Sequence, residues 1–177
     1  LFGNIAKENN ELYNAAYYAS QGCFLKLSKQ AGKELSFLSK NILKGSRASR
    51  YFSSPCLENI YYPEIQGKLK VGISISENLD DLEQVASSLL NKKNVVIHLA
   101  SDFYEIGKHK ELSRKCKHIS EKFETSVLYI NASGVLNEGK NVYALEGCSL
   151  VFKNGKILDK APFLKEALLI FDSENAA

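Results

Sequence analysis

The stretch Lys70–Asp81, KVGISISENLDD, decides the fold class. Its first part, Val71–Ile75, is an apolar run typical of a buried β-strand. The run stops at Ser76, and Asp80 and Asp81 follow as acidic residues that suit the positive N-terminal end of a helix. A strand followed at once by a helix indicates an α/β domain. Ser76 therefore stands at the strand–helix junction, where it is either the polar end of a strand or part of a chemical site.

Strands and helices continue to alternate downstream of this stretch. Asp80–Asn91 has apolar residues at helical spacing, and Val95–Leu99 is a continuous apolar run typical of a strand buried on both faces. Lys108–Glu124 is the clearest helix, because four apolar side chains recur along one stripe. These side chains are Leu112, Cys116, Ile119 and Phe123. Val127–Asn131 is the next buried strand, so this part of the chain predicts a layered α/β arrangement.

The C-terminal part is predicted to form a hairpin and a last strand. Asn154-Gly155 is a strong signal for a two-residue hairpin turn. It lies between the runs Ser149–Phe152 and Lys156–Leu158, and Leu168–Phe171 is predicted as the final strand. A hairpin added to strands that are joined by helices predicts a mixed sheet.

The N-terminal part is predicted to be a β-meander. Its strands are Leu1–Ile5, Leu12–Ala19 and Cys23–Leu27, separated by polar or glycine-containing turns. Ala31–Tyr62 has no clean period, so we expect a long loop with one helical turn at Glu34–Leu43. With 177 residues, the chain is expected to be a single α/β domain with a mixed sheet spanning residues 1–177.

Composition excludes several classes of protein. Hydrophobic residues make up 45% and charged residues 24%, as in ordinary globular proteins, and a net charge of +3 is too small to argue for nucleic acid. The basic residues Lys40, Lys44, Arg47 and Arg50 are expected to lie on a solvated loop, because few aromatic residues lie among them. An uncharged apolar run long enough for a membrane span is absent, and so is a signal-like start. We therefore expect a cytoplasmic protein.

Cysteine and histidine spacing predicts neither disulfides nor a metal site. The four cysteines lie far apart without a CxxC pair, so free thiols are expected. His98, His109 and His118 are scattered and form no ligand pair at a useful spacing. The sequence therefore predicts no metal and no cofactor.

Five segments occur in a fixed order along the chain: ELYNAAYYASQG (residues 11–22), KVGISISEN (70–78), HLASDFYEIGK (98–108), VLYINASG (127–134) and EGCSLVFKNGKILDKAP (146–162). Together they resemble the nitrilase, or carbon–nitrogen hydrolase, superfamily, and within it the glutamine-hydrolysing domains of NAD synthetases. The resemblance runs from Leu1 to about Asp172. It implies an α-β-β-α sandwich with mixed sheets, lacking the usual N-terminal part.

The resemblance also implies where a catalytic site would lie. The family uses a cysteine nucleophile, a glutamate base and a lysine that stabilises the oxyanion. Ser76 stands at the nucleophile position and Lys29 at the lysine position, while the backbone N–H of Glu77 would be the second oxyanion donor. The catalytic glutamate would precede Leu1. The segment after Lys29 is longer than in the family and lacks its Leu-Pro-Asn-Tyr run, which alters the expected glutamine pocket.

Three more residues are candidates for substrate contact. Ser101, Asp102 and Tyr104 follow a buried strand, at the place where α/β sheets tend to bind ligands. The three catalytic candidates of the previous paragraph each have a plainer interpretation beside the functional one. Ser76 could be an ordinary strand-end serine, Lys29 an exposed lysine, and Glu77 a solvated residue of the turn.

Two functional hypotheses remain open from the sequence. The first is a hydrolase of the side-chain amide of glutamine or a related amide, impaired because a serine hydroxyl is a far weaker acid than a thiol. The second is a non-catalytic binding or assembly module with the same fold. The resemblance implies a homo-oligomer in either case. A synthetase half, with its Ser-Gly-Gly nucleotide-binding loop, would lie beyond Ala177.

Overall fold

The computed structural model describes residues 2–20, 23–24, 27–30, 33–35, 37–39, 59–60, 62–65, 69–75, 79–89, 94–137 and 139–172. The chain divides into two compact units, Leu1–Ile65 and Gln66–Ala177.

The first unit consists of short antiparallel strands. They are β1 (Phe2–Glu8), β2 (Glu11–Tyr17), β3 (Ala19–Ser20), β4 (Cys23–Phe24), β5 (Ser28–Gln30), β6 (Lys33–Leu35), β7 (Phe37–Ser39), β8 (Asn59–Ile60) and β9 (Glu64–Ile65). They pair in the orders β1-β2-β7, β3-β4 and β6-β5-β8. The β1–β2 hairpin turns through Asn9 and Asn10, whose φ angles of 48° and 65° suit asparagine. A small core of Ala6, Tyr13, Ala15 and Leu35 lies beneath it.

Most of the predicted N-terminal strands are confirmed, but the helical turn at Glu34–Leu43 is wrong. Its described residues lie in β6 and β7. Strand β7 pairs with β2, and the N–H of Leu27 donates to the carbonyl of Leu35 at 2.9 Å. These partners are distant in sequence, so pairing outweighs the local pattern. Residues 40–58, which include the basic cluster, lie outside the described ranges.

The second unit is an α/β layer. Its elements are β10 (Leu69–Ile75), α1 (Asp80–Ser88), β11 (Val95–Ala100), α2 (Lys108–Lys122), β12 (Ser126–Asn131), β13 (Ser133–Asn137), β14 (Val142–Glu146), β15 (Leu150–Lys153) and β16 (Lys156–Lys160). Within this unit, the strands of the main sheet have the order β16-β15-β12-β11-β10. Strands β10, β11 and β12 are parallel, whereas β15 and β16 are antiparallel to their neighbours. The mixed sheet, both helices and the Asn154-Gly155 hairpin are therefore confirmed.

Two features of this unit differ from the sequence prediction. The β13–β14 hairpin was not predicted, because its strands carry no clear alternation of apolar and polar residues. The strand predicted at Leu168–Phe171 is wrong: the segment is irregular, and the side chains of Leu168 and Ile170 are 86% and 83% exposed. An apolar run forms a strand only where a neighbouring strand accepts its backbone hydrogen bonds.

Helix α1 packs closely on β10 because Gly72 has no side chain. A Cβ atom at Gly72 would lie 2.5 Å from Cγ1 of Val85 and 2.5 Å from Cδ1 of Leu89. Both helix residues are buried. The glycine thus allows the C-terminal half of α1 to lie close to the sheet.

Replacing Gly72 by alanine is expected to lower the free energy of unfolding by about 1–3 kcal/mol, as overpacking a tight core does. Val85 is β-branched and has one strongly preferred rotamer in a helix, so it cannot turn aside. Urea denaturation measures the change. In a Val85→Ala background the same substitution should cost less. An equal cost in both backgrounds would mean that the close helix contact is not the cause.

Candidate functional site

The candidate site lies where three parallel strands end. Strands β10, β11 and β12 end at Ile75, Ala100 and Asn131, on the same edge of the sheet. Ligands of α/β sheets bind outside this carboxyl edge. Ser76 directly follows β10 in the sequence, but Ser76 and Glu77 lie outside the described residues. Their roles stay predictions.

A chain of buried polar side chains crosses the three strands just inside this edge. Ser74, His98 and Tyr129 are in register on neighbouring strands. The hydroxyl of Ser74 lies 3.0 Å from Nδ1 of His98, and the His98 ring stacks on Tyr129 at 5.8 Å between centroids. All three side chains are at most 2% exposed. The sheet therefore carries polar groups where the sequence shows a nearly continuous apolar run.

The chain continues into the loop that follows β11. The hydroxyl of Tyr129 donates to Oδ2 of Asp102 at 2.7 Å, and the ammonium of Lys108 donates to Oδ1 at 3.0 Å. Burial raises the pKa of Tyr129, and the Asp102 carboxylate raises it further, so the hydroxyl stays protonated as a donor. We call Ser74, His98, Tyr129, Asp102 and Lys108 the polar chain.

Backbone contacts fix the same loop from a second side. The N–H of Asp102 donates to Oδ1 of Asn131 at 2.8 Å, and the carbonyl of Asp102 accepts from the N–H of Glu146 at 3.2 Å. The N–H of Tyr104 donates to the carbonyl of Ala144 at 2.7 Å. The loop between β11 and α2 is thus held to both β12 and β14.

The three predicted contact residues on this loop have different environments. Ser101 and Tyr104 are exposed, and the Tyr104 ring meets Phe163 edge-on at 5.3 Å between centroids. Asp102 is buried, and both of its carboxylate oxygens have partners within the polar chain. Ser101 and Tyr104 are therefore available at the surface, whereas Asp102 organises the loop. Substrate contact by any of the three stays a prediction.

Two cavities adjoin the helices of this unit. The first, about 190 Å³, is lined by Leu79, His98, Asp102, Lys108, Glu111, Leu112 and Lys115. The second, about 340 Å³, lies between α1 and α2 and is lined by Leu79, Glu83, Arg114, Lys115, His118 and Ile119. Three members of the polar chain, His98, Asp102 and Lys108, line the smaller cavity. Its lining carries both charge signs, which suits a polar ligand better than an apolar one.

Lys29 belongs to the first unit. It lies on β5, opposite Glu34 of β6 and Asn59 of β8. The structure describes its backbone but not its side chain. Its proposed action on an oxyanion therefore stays a prediction.

Sequence reasoning missed most of the polar chain. The available signal was His98, a titratable residue inside an otherwise apolar strand. Its partners are far away in sequence, so the pattern along one strand could not reveal them. Within the described ranges, none of the helices has the length and apolar content that a membrane span requires.

Comparison with known proteins agrees with this architecture. No family model matches the chain. The chain is 28% identical over 137 residues to a glutamine-dependent NAD(+) synthetase from Synechocystis sp., a match that covers 70% of this chain and 23% of the synthetase. The structure of glutamine-dependent NAD+ synthetase from Acinetobacter baumannii superposes with a TM-score of 0.70 at 22% identity, covering 94% of this chain and 29% of that one.

Two solved structures of nitrilase-superfamily members superpose as well. An amidase of the nitrilase superfamily from Nesterenkonia gives a TM-score of 0.62 at 15% identity, covering 92% of this chain and 56% of the amidase. A nitrilase-superfamily member from Saccharomyces cerevisiae gives a TM-score of 0.59 at 16% identity, covering 93% of this chain and 54% of the yeast protein. This chain thus spans about a quarter of the synthetases and just over half of these two proteins.

The chain therefore has the fold of the nitrilase, or carbon–nitrogen hydrolase, superfamily, and the mixed α/β fold class predicted from the sequence is confirmed. The chain is also similar in sequence to a glutamine-dependent NAD synthetase, and the resemblance drawn from the sequence is confirmed on this point too.

Proposed function

We propose that this domain binds glutamine or a related amide and that its hydrolysis of the amide is impaired because Ser76 replaces the nucleophilic cysteine. The observation that supports this proposal is the end of β10, a buried parallel strand, at Ile75, and Ser76 is the next residue in the sequence. Ligands of α/β sheets bind at such edges. The relationship to glutamine-dependent NAD synthetase supports the choice of glutamine.

The reaction of such a site is acyl transfer. The nucleophile attacks the amide carbon, ammonia leaves, and water then releases the acid from the acyl-enzyme. Lys29 and the backbone N–H of Glu77 would stabilise the oxyanion that forms during attack. A free thiol has a pKa of about 8.5 and is readily activated. A serine hydroxyl needs a strong, aligned base, so turnover falls.

One observation favours a second function, a non-catalytic binding or assembly module. The carboxylate of Asp102 lies near the carboxyl edge, yet Tyr129 and Lys108 occupy both of its oxygens. A group engaged in this way stabilises the fold and contributes little to substrate chemistry. In this alternative the domain is an assembly module. It pairs with a synthetase domain in a larger protein, or with copies of itself in a homo-oligomer.

Glutamine binding and ammonia release together separate the two functions. An impaired hydrolase is expected to bind L-glutamine, detected by saturation-transfer NMR on the full-length protein, while releasing little ammonia. D-glutamine is the matched control, because a site shaped for the L-isomer should discriminate against it. Absence of an L-glutamine signal would contradict the proposal and leave the assembly module. Rapid ammonia release would contradict the impairment.

A further inference from the structure

Three side chains of the second unit meet at a place where the sequence predicts nothing. His109 is at the start of α2, Glu146 ends β14, and Cys148 lies in the connection to β15. One ligand atom from each lies within 4.8 Å of the other two, and Nδ1 of His109 is 3.3 Å from Oε1 of Glu146. Imidazole, carboxylate and thiol together form a ligand set that suits zinc and similar transition metals.

An incompletely satisfied carboxylate points to a missing partner at this place. Glu146 is only 3% exposed, and among the described residues its Oε1 finds no hydrogen-bond donor of acceptable geometry. His109 is near this oxygen but is not aligned to donate to it. A buried carboxylate oxygen without a partner is costly. A cation held between the three side chains would remove that cost.

The backbone holds the cluster in place at some energetic cost. Cys148 has a φ of 53°, which is uncommon for a residue other than glycine, and such strain concentrates at functional sites. Glu146 is anchored by its N–H to the carbonyl of Asp102 and by its own carbonyl to the N–H of Leu164. Gly147 donates to the carbonyl of Ala132 at 2.9 Å. The ligand atoms therefore come from fixed positions.

The ionisation of the three side chains and the charge of Lys160 affect how strongly the cluster would bind a metal ion. Burial lowers the pKa of His109, which keeps the imidazole neutral and its lone pair available. Burial raises the pKa of the Cys148 thiol. The ammonium of Lys160 acts on His109, Glu146 and Cys148 and would oppose a cation, but Lys160 is exposed and its side chain can extend into solvent.

We propose that His109, Glu146 and Cys148 bind a divalent transition-metal ion of the Zn²⁺ type, with a fourth position left for water. On binding, the Cys148 thiol gives its proton to solvent and the thiolate sulfur coordinates the metal. The ion would join the start of α2 to the β14–β15 connection. This site is independent of Ser76 and of any amide hydrolysis.

Cobalt(II) is the probe for this site, because a thiolate bound to Co²⁺ gives a charge-transfer band in the near ultraviolet. Titration of the metal-free, full-length protein is expected to produce this band with saturation at one equivalent, and Zn²⁺ should abolish it. Cys148→Gly should weaken binding more than about 100-fold, because even outer-shell partners contribute 10–100-fold. Glycine accepts the backbone conformation of Cys148, so this variant should still fold.

Matched controls come from the same chain. His118→Gln alters an exposed histidine on the same helix, and Cys23→Ser removes an exposed thiol elsewhere. Both should keep the band and the affinity, while Glu146→Gln and His109→Gln should weaken binding. The proposal is overturned if the parent protein gives no band, if Cys148→Gly keeps it, or if the control variants lose it equally.

Discussion

Ser76→Cys is expected to raise ammonia release from L-glutamine at least about 100-fold over the parent protein, because single catalytic nucleophiles contribute effects of this size or larger. The substitution changes one atom and supplies a readily ionised thiol at the residue that follows β10 in the sequence. The measurement is a coupled ammonia assay on the full-length protein under saturating glutamine.

Two further variants make the Ser76→Cys result specific. Ser87→Cys adds a thiol at an exposed position of α1 and should leave the rate unchanged. In the Ser76→Cys background, Lys29→Ala should remove most of the gain, because the oxyanion loses a cation. If Ser76→Cys releases no more ammonia than the parent, the serine is not the only cause of the low hydrolysis rate, and the assembly module becomes the better description.

Asp102→Ala is expected to lower the free energy of unfolding by about 3 kcal/mol, the cost of leaving a buried tyrosine hydroxyl and a partly buried lysine without their common partner. Asp102 accepts from both Tyr129 and Lys108, so one substitution removes both contacts. Chemical denaturation at neutral pH, followed by circular dichroism, measures the loss.

Three comparisons test whether the polar chain is the cause. Asp159→Ala removes an exposed carboxylate on β16 and should change stability by less than about 0.5 kcal/mol. Tyr129→Phe should cost about 1–2 kcal/mol. The double variant of Asp102 and Tyr129 should cost less than the sum of the two single variants, because they share one hydrogen bond. Strict additivity would show that the two residues act separately.

The sequence predicted those parts of the fold that depend on local periodicity or on a local turn. Helix α2 has its apolar stripe in Leu112, Cys116 and Ile119, all buried as the spacing indicates. The Asn154-Gly155 turn needs only two residues with positive φ, and both have it. Such features are encoded within a few neighbouring residues, so a single sequence is enough to find them.

Features that depend on distant partners were not predictable in the same way. The strand proposed at Leu168–Phe171 has the right composition, but none of the described strands pairs with it and the segment is irregular. Tyr129 and Asp102 meet only because parallel strands carry them to the same edge of the sheet. For Ser76, the sequence supplied the candidate through a family resemblance, which is information about other proteins and not about local physics.

The loop between β11 and α2 has one more consequence for anything that binds at this edge. Asp102 and Tyr104 are tied to Asn131, Glu146 and Ala144 through their backbones. These hydrogen bonds therefore hold the loop in one conformation, and the loop does not act as a lid that closes over a ligand. Its conformational entropy is lost during folding, so a ligand does not have to order it on arrival. Selectivity at this loop then depends on the shape that the loop already has before a ligand arrives.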